Sequence, residues 1–582
     1  MFFLIIILYI LPQSLCKIID KVETPYGNIS GTEINVLGEK ITEYLGVPYA
    51  YPPKNNYRFK KPVELKKPSW NGTYNAITLA NACPQIVRFM NFSGYDASNP
   101  KNATNEECLQ FNMWVPKGKN LPVLVFFHGG SWTLRTASVD KFNGSVLALK
   151  TKSIVVTPNF RLGFFGFAYL GNGSKISGNM GLLDQQMMLK WINMAIEPFG
   201  GDKNKVTIFG TSSGASSVAA HLFSEASKPY FIRGIMSSGT ITHFMSTISP
   251  KLAEANTRNV STQLGCNGDD NKILECLQSK SVNELLIAAS KAKQPTQPPI
   301  PFSFIPINCD DVFFKGCIND KIIKESYNKD VDLIFGKTKD EATFFMATGF
   351  TNNTIFNCHF YPLKSISDFE NGCIMNKTNF ENLVNLGGKL LLFGKNEIHE
   401  LYNIYDKLSY LTYTEKSIRI LSDFIFNCDL SAFATKYSNS SSKNVYFYTY
   451  TKRSPINVWP KWTGAMHGDD LIDIFGIPFR HPEKYDEKIL EKEKSYSDNV
   501  MWTIGNFTST GNPSLYWEKY TPNNTKSLDF NGKLDLSKTS KHVDAIPSTC
   551  IEISKIIKKL ITVNFKVKTT LLSIETTTTS LN

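Results

Sequence analysis

The sequence predicts an α/β protein in which helices flank one large, mostly parallel central sheet. Short runs of β-branched and aromatic residues alternate along the chain with longer stretches of helical periodicity. These runs are apolar nearly throughout, as expected for strands that helices cover on both faces. The predicted strands are Pro122–Phe127, Ser153–Thr157, Val206–Phe209, Val331–Phe335 and Val445–Tyr450.

The clearest predicted helix is Gly181–Phe199. Its apolar stripe, which we expect to face the core, consists of Leu182, Leu183, Met187, Met188, Trp191, Ile192 and Ala195. No internal repeat is visible in the chain. Stretches rich in Pro or Ser at 291–301 and 438–443 lie between elements of the same α/β pattern, which is typical of surface loops. We therefore predict a single large domain over residues 17–560.

The composition excludes two classes of protein. Of the 582 residues, 42% are apolar and 12% aromatic, so the chain is not intrinsically disordered. Lys and Arg (63) outnumber Asp and Glu (51), but the resulting net charge of +12 is spread along the chain, which argues against nucleic-acid binding. A positive net charge also slows the approach of cationic substrates.

The N-terminal segment 1–16 has the pattern of a secretory signal peptide. Its apolar stretch Phe2–Ile10 is too short to span a bilayer, and the small residues Ser14 and Cys16 precede the expected cleavage before Lys17. Cleavage would leave ten of the eleven cysteines, an even set that suits disulfides in an oxidising compartment. The chain also carries twelve Asn-x-Ser/Thr sequons, which begin at Asn28, Asn71, Asn91, Asn102, Asn143, Asn172, Asn259, Asn352, Asn376, Asn439, Asn506 and Asn523. We expect a secreted glycoprotein.

The C-terminal segment offers no membrane anchor. Lysines interrupt every apolar run after Ser554, so no stretch there is long enough to cross a bilayer or to serve as a glycolipid-anchor signal. The segment 561–582, which contains four consecutive threonines at 576–579, is predicted to be a disordered Thr-rich tail.

The first motif that indicates chemistry is G-x-S-x-G at 210–214. It follows the predicted strand Val206–Phe209 and precedes a plausible helix. This strand–turn–helix is the context of a nucleophile elbow, in which glycines permit a tight turn and Ser212 stands at the helix N-terminus. The alternative is a Gly/Ser loop that only caps a helix.

A second motif, His128-Gly129-Gly130-Ser131-Trp132, directly follows the strand Pro122–Phe127. Glycines after a strand let backbone N–H groups turn inward, where they can stabilise a developing oxyanion. The position of this loop before Ser212 is that of the loop paired with a nucleophile elbow in esterases. The alternative is an ordinary turn at the end of a strand.

A serine nucleophile needs a base and an acid that orients the base. The chain order Ser…Asp/Glu…His of elbow enzymes restricts the base to histidines after Ser212, among which His467 stands in a Gly-flanked stretch. Asp340 and Glu341 follow the strand Val331–Phe335, where an orienting acid is expected. The residues alone leave this choice open.

The chain resembles the type-B carboxylesterases of the cholinesterase family, which have the α/β-hydrolase fold. The likeness runs from about Lys21 to Leu560. The stretches that carry it are Asn105–Pro116, Asn159–Phe167, Gly178–Ile192, Phe199–Ala215, Gly336–Phe345 and Trp459–Gly476.

The resemblance implies a serine ester hydrolase that acts on small-molecule esters without a metal or cofactor. By the same resemblance Ser212 is the nucleophile, Glu341 the acid and His467 the base. The backbone N–H groups of an oxyanion hole would come from Gly130, Ser131 and Ser213. It also implies the disulfides Cys83–Cys108, Cys266–Cys276 and Cys428–Cys550 and the structural ion pairs Arg58–Glu106 and Arg161–Asp184, and it leaves Cys309, Cys317, Cys358 and Cys373 unassigned.

The sequence departs from the family where cholinesterases bind the choline ammonium. Ser98 stands in place of the Trp that contacts the ammonium, Thr211 in place of an acidic residue, and Thr133 in place of a tyrosine. Loss of a desolvated cation–π contact forfeits about 2 kcal/mol, so choline selectivity should suffer. Phe344 does match an aromatic residue of the choline pocket, and Phe302 matches one of the acyl pocket.

Two further positions predict a preference for small acyl groups. Ser131 stands where the family usually has Gly or Ala, and its hydroxymethyl group narrows the site. Trp132 replaces a smaller aromatic residue and adds bulk in the same direction.

Three functional hypotheses follow. The first is a secreted carboxylesterase that cleaves uncharged or varied esters. The second is an acetylcholinesterase whose cation site is rebuilt from other aromatic residues. The third is a weakly active or silent ligand-binding relative of the neuroligin type, which the retained Ser212, Glu341 and His467 disfavour. The family's tetramer-forming Trp- and Cys-bearing tail is not recognisable, which favours a monomer or a loose homodimer.

Overall fold

A computed structural model describes residues 17–18, 21–102, 104–292, 302–349, 351, 356–535 and 541–560. The predicted signal peptide at 1–16 and the predicted tail at 561–582 lie outside the described residues.

Strands and helices alternate along most of the chain. The strands are β1 Lys17–Ile18, β2 Val22–Thr24, β3 Gly27–Ser30, β4 Thr32–Val36, β5 Glu39–Pro48, β6 Thr73–Asn75, β7 Gln110–Pro116, β8 Leu121–Phe127, β9 Ile154–Pro158, β10 Gly201–Thr211, β11 Arg233–Ser237, β12 Cys309–Asp310, β13 Gly316–Cys317, β14 Asp332–Thr338, β15 Val445–Tyr450, β16 Lys526–Phe530 and β17 His542–Asp544. The helices are α1 Ser93–Asp96, α2 Ser145–Thr151, α3 Gly163–Phe167, α4 Met180–Ala195, α5 Ser213–Leu222, α6 Pro250–Gln263, α7 Asp270–Ser279, α8 Val282–Ser290, α9 Ile318–Ile323, α10 Thr343–Gly349, α11 Lys377–Leu390, α12 Lys395–Asp406, α13 Tyr413–Ser422, α14 Cys428–Ser440, α15 Asp470–Ile474, α16 Ile477–Arg480 and α17 Glu487–Thr510.

Twelve strands form one mixed sheet, in the order β1-β4-β5-β7-β9-β8-β10-β11-β14-β15-β16-β17. Its centre, from β9 to β16, is parallel, and both edges are antiparallel. The predicted α/β class with a large central sheet is confirmed. Because the central strands are parallel, their carboxyl ends meet at one edge, where the loops of an α/β sheet form a site.

The central strands are buried on both sides. Every residue of β9, β11 and β15 is buried, as the apolar runs of β9 and β15 predict. The strand β11, Arg233–Ser237, is not among the predicted strands. Two large apolar clusters cover the sheet, one containing α4 and α5 and the other containing α2 and α17. The predicted helix at 181–199 ends earlier than expected, at Ala195, and a separate 3-10 turn follows at Glu197–Phe199.

Among the described residues, five disulfides connect the loops to this sheet. Three of them are the pairs that the resemblance implies, Cys83–Cys108, Cys266–Cys276 and Cys428–Cys550. The four unassigned cysteines form Cys309–Cys317 and Cys358–Cys373. Asp423 approaches Cys428 and Cys550 as a metal ligand would, but these two cysteines are bonded to each other.

Both expected ion pairs are present and buried. Arg58 makes two hydrogen bonds of 2.6 Å to Glu106, and Arg161 makes bonds of 2.7 and 2.8 Å to Asp184. Each guanidinium also donates to backbone carbonyl groups of other loops, so these residues hold the structure around the sheet together.

Candidate active site

Ser212 occupies a strained turn between β10 and α5. Its φ of 57° and ψ of −127° lie outside the common regions for a residue with a side chain. The flanking glycines allow the turn to form. A Cβ at Gly210 would lie 2.0 Å from the Gly214 carbonyl oxygen, and a Cβ at Gly214 would lie 2.0 Å from the Phe127 carbonyl oxygen. Close backbone contacts therefore require glycine at both positions of the G-x-S-x-G motif, as in a nucleophile elbow.

The loop after β8 turns back on itself beside Ser212. Gly130 and Ser131 both have positive φ, 123° and 54°, and a Cβ at Gly130 would lie 2.2 Å from the Leu134 carbonyl oxygen. Among the described residues, none accepts a hydrogen bond from the backbone N–H of Gly130 or Ser131. Ser213 is the first residue of α5, where an N–H has no partner within the helix. These three N–H groups are free to bind an oxyanion.

Glu341 and His467 form a buried pair. The Nδ1–H of His467 donates to Glu341 Oε2 at 2.6 Å. The other oxygen of Glu341 accepts from the Ser238 hydroxyl at 2.6 Å and from the Thr338 N–H at 2.7 Å. Glu341 is fully buried, and the side chain of His467 is 6% exposed. Three donors thus fix the carboxylate, which in turn fixes the imidazole ring with its Nε2 as the acceptor.

Aromatic rings hold the His467 imidazole from the side. Phe426 stacks on it with ring centroids 4.6 Å apart, and Phe345 and Phe344 lie at 5.4 and 6.3 Å. Nε2 of His467 is buried and has no hydrogen-bond partner within the described part of the chain, so the bond to Ser212 is not formed here. Catalytic hydrogen bonds of this kind often form only when substrate is bound.

A cavity of about 60 Å³ opens above Ser212. Of the predicted site residues, Ser131, Trp132, Ser212, Ser213 and Phe302 line it. Gly130, Thr211 and Phe344 are outside its lining. Thr211 is buried (1% exposed), and Phe344 packs against Trp459 at 5.8 Å. Phe345 and Phe426 belong both to the cavity wall and to the environment of His467, so His467 lies directly behind that wall.

Several cavity residues escaped the sequence analysis. They are Ser216, Gly239, Thr240, His243, Met245, Ser246, Phe345, Ile425, Phe426 and Asp429. Phe345 adjoins Phe344 in a stretch that the resemblance covers and could have been found there. Ile425 and Phe426 belong to a π-helical turn at Asp423–Asn427 that joins α13 to α14. No sequence motif predicts that turn.

Ser98 lies away from the catalytic cavity. It lines a separate cavity of about 430 Å³ whose wall includes Trp459, Lys141 and Asp469. The Lys141 ammonium donates to the Gly468 carbonyl oxygen at 3.3 Å, next to His467 in the chain. Burial raises the pKa of Asp469 to about 7, opposed by the Lys141 charge. Burial lowers the pKa of Lys141, and the charges of Asp469 and Asp470 oppose that effect, so Lys141 is partnered by acidic groups.

The comparison with known proteins agrees with this geometry. The sequence matches the family model described as Carboxylesterase family over residues 19–545. The chain belongs to the carboxylesterase family. It is 31% identical to the Cholinesterase of Mus musculus over 521 residues, which cover 88% of this chain and 83% of that one. It is also 31% identical to the Acetylcholinesterase of Bungarus fasciatus (88% and 82% covered) and to the Acetylcholinesterase 4 of Caenorhabditis briggsae (86% and 84% covered).

Membership of this family makes the protein a carboxylic ester hydrolase of the serine hydrolase class. Its substrates are small-molecule esters. Within the described ranges, every helix is too short or too polar to cross a membrane.

Proposed function

We propose that the protein is a secreted hydrolase that cleaves small carboxylic esters through an acyl-enzyme on Ser212. The observation that carries this proposal is the buried Glu341–His467 pair directly behind the wall of the Ser212 cavity. The strained turn at Ser212 and the unused N–H groups of Gly130 and Ser131 support it.

In this mechanism, His467 Nε2 takes the proton of the Ser212 hydroxyl as its oxygen attacks the ester carbonyl carbon. The N–H groups of Gly130, Ser131 and Ser213 bind the oxyanion, and each such donor typically contributes about 3 kcal/mol to transition-state stabilisation. His467 then protonates the departing alcohol. Water, deprotonated by the same base, attacks the acyl-enzyme, and His467 returns this proton to the Ser212 oxygen as the acid is released.

The small cavity supports short acyl chains, because Trp132, Phe302, Phe345 and Phe426 surround it. Choline esters are disfavoured as substrates. Ser98 offers no aromatic ring to an ammonium group, and the net charge of +12 slows the approach of a cationic substrate. This is the ground for preferring a general esterase to an acetylcholinesterase with a rebuilt cation site.

Secretion is supported by the disulfides and by the sequons. The ten cysteines of the described residues are all paired. Of the eleven sequon asparagines in the described ranges, none is buried, so each could carry a glycan.

We extend the proposal to the domain boundaries, with a signal peptide at 1–16, a catalytic domain at 17–560 and a tail at 561–582. We further propose that the protein acts as a monomer or loose homodimer.

The test is steady-state hydrolysis by protein purified from the medium of expressing cells. We expect turnover of 4-nitrophenyl butyrate, lost in Ser212→Ala. We also expect acetylthiocholine to be no better a substrate, by kcat/KM, than its neutral carbon isostere S-(3,3-dimethylbutyl) thioacetate. A preference of about ten-fold or more for the choline ester would instead establish the acetylcholinesterase hypothesis. Absence of turnover of all three esters would favour a silent ligand-binding relative.

A further inference from the structure

We propose that Asp429 selects esters whose acyl part carries a positive charge, such as a protonated amine. This inference rests on the proposed function, because it assigns part of the substrate to the cavity above Ser212. It names a residue and a substrate class that the resemblance to cholinesterases does not supply.

Asp429 is a carboxylate in the wall of the same cavity as Ser212. It lies at the start of α14, two residues after the π-helical turn that brings Ile425 and Phe426 to the cavity. Its Oδ2 accepts hydrogen bonds from the hydroxyl groups of Thr240 and Thr242, the latter at 2.9 Å. These hydroxyls orient the carboxylate, but they do not neutralise it.

Within the described part of the chain, no Lys or Arg forms an ion pair with Asp429, and the titratable group that interacts with it is His243. The Nε2–H of His243 donates to the Phe424 carbonyl oxygen at 2.8 Å, and its Nδ1 accepts from the Met245 N–H at 3.2 Å. An imidazole that donates from one nitrogen and accepts at the other is neutral. Burial also lowers the pKa of His243.

The remainder of the wall suits a small cation. Trp132, Phe302, Phe345 and Phe426 line the cavity, and an ammonium group against such rings is attracted by their π faces. The partly buried Asp429 carboxylate adds a charge–charge attraction, which solvent screens less in a cavity than at an open surface. Bringing a neutral ester into the cavity would leave the Asp429 charge partly desolvated and unpaired.

The geometry assigns the cation to the acyl part rather than to the alcohol. The cavity includes Ser212 and two oxyanion-hole residues, Ser131 and Ser213, whereas His467 lies behind the wall. The leaving oxygen must reach His467 Nε2 to receive its proton. The alcohol therefore departs toward His467, outside the cavity lining, and the acyl group, which stays on Ser212, occupies the side of Asp429.

The experiment compares ester pairs that differ only in charge. The 4-nitrophenyl esters of glycine and of β-alanine are matched in size by those of propionic and butyric acid. At about pH 6 the amines are protonated, since an α-amino group titrates near 7.7. Each kcat/KM is divided by the second-order rate constant for hydrolysis of the same ester by hydroxide. This ratio corrects for differences in the intrinsic reactivity of the esters. We expect the wild type to prefer at least one ammonium ester to its neutral match by about ten-fold.

We expect Asp429→Asn to abolish this preference, which is the ratio of the normalised kcat/KM values within each matched pair of esters. Asp429→Glu, which restores the charge, should recover part of it. Asp330→Asn, which removes the same charge from an exposed site, should leave it unchanged. Active sites are counted by titration with a fluorophosphonate in every variant.

Three outcomes would overturn the inference. They are a wild type without preference for either ammonium ester, a preference that Asp429→Asn retains, and an equal loss in Asp330→Asn. The first needs no variant and stands even if Asp429→Asn fails to fold. Turnover that persists in Ser212→Ala would instead contradict the proposed function itself. If Ser212→Ala is inactive but Asp429→Asn keeps the preference for ammonium esters, only the inference is contradicted.

Discussion

Replacement of His467 by Gln is expected to lower kcat for 4-nitrophenyl butyrate by about 10⁶-fold, the loss typical of a triad base. Among the residues that the structure describes, the imidazole of His467, behind the cavity wall, is the only one that a buried carboxylate fixes and that has an unpartnered buried nitrogen. Without it, Ser212 must react as a neutral hydroxyl, which is a weak nucleophile.

The matched control for this variant is His481→Gln. His481 also contacts carboxylates, Asp140 at 2.8 Å and Glu483 at 3.0 Å, but it lies outside the catalytic cavity. Its replacement should leave kcat within a few-fold of the wild type. A His467→Gln enzyme that keeps more than about 1% of kcat, with intact folding by circular dichroism, would show that another residue acts as the base.

Glu341→Gln is expected to lower kcat by about 10⁴-fold. All three neighbours of the carboxylate donate hydrogen bonds to it, namely the His467 Nδ1–H, the Ser238 hydroxyl and the Thr338 N–H. An amide offers one acceptor oxygen, so its NH₂ group must face one of these donors. The least costly response is for His467 to carry its proton on Nε2, where it can no longer accept the Ser212 proton.

Asp340→Asn provides the control one residue away. Asp340 Oδ2 accepts from the Ala465 N–H at 2.9 Å, and burial raises the pKa of this carboxyl group. An Asn side chain can keep that single hydrogen bond, so kcat should change by less than about ten-fold. If Asp340→Asn were as inactive as Glu341→Gln, the assignment of Glu341 as the catalytic acid would be contradicted, or the loop after β14 that contains both residues would be needed for folding.

The sequence predicted what depends on local constraints. The strand–turn–helix around Ser212 can be predicted from the sequence because its tight backbone contacts leave no room for a Cβ atom at Gly210 or Gly214. This local requirement produces the G-x-S-x-G motif. The helix at 181–199 was placed by its apolar spacing, but its C-terminal end was missed because a 3-10 turn continues the same pattern.

Contacts between distant segments were harder to predict. Periodicity and motif left Asp340 and Glu341 as equal candidates, and only the resemblance chose between them. The structure separates them by hydrogen bonding, with Glu341 on His467 and Asp340 on a backbone N–H. Phe426 and Asp429 reach the cavity through the π-helical turn Asp423–Asn427, more than two hundred residues after the nucleophile, and no local pattern marks them.

The identity of the nucleophile is the central claim, and covalent labelling tests it most directly. Wild-type protein and Ser212→Ala are treated with a fluorophosphonate and, separately, quenched in acid during turnover of 4-nitrophenyl butyrate. Mass spectrometry of their peptides then locates the adduct. We expect one phosphonyl or butyryl group on the peptide containing Ser212 in the wild type and none in the variant. An adduct on another residue, or turnover without any adduct in Ser212→Ala, would contradict the account.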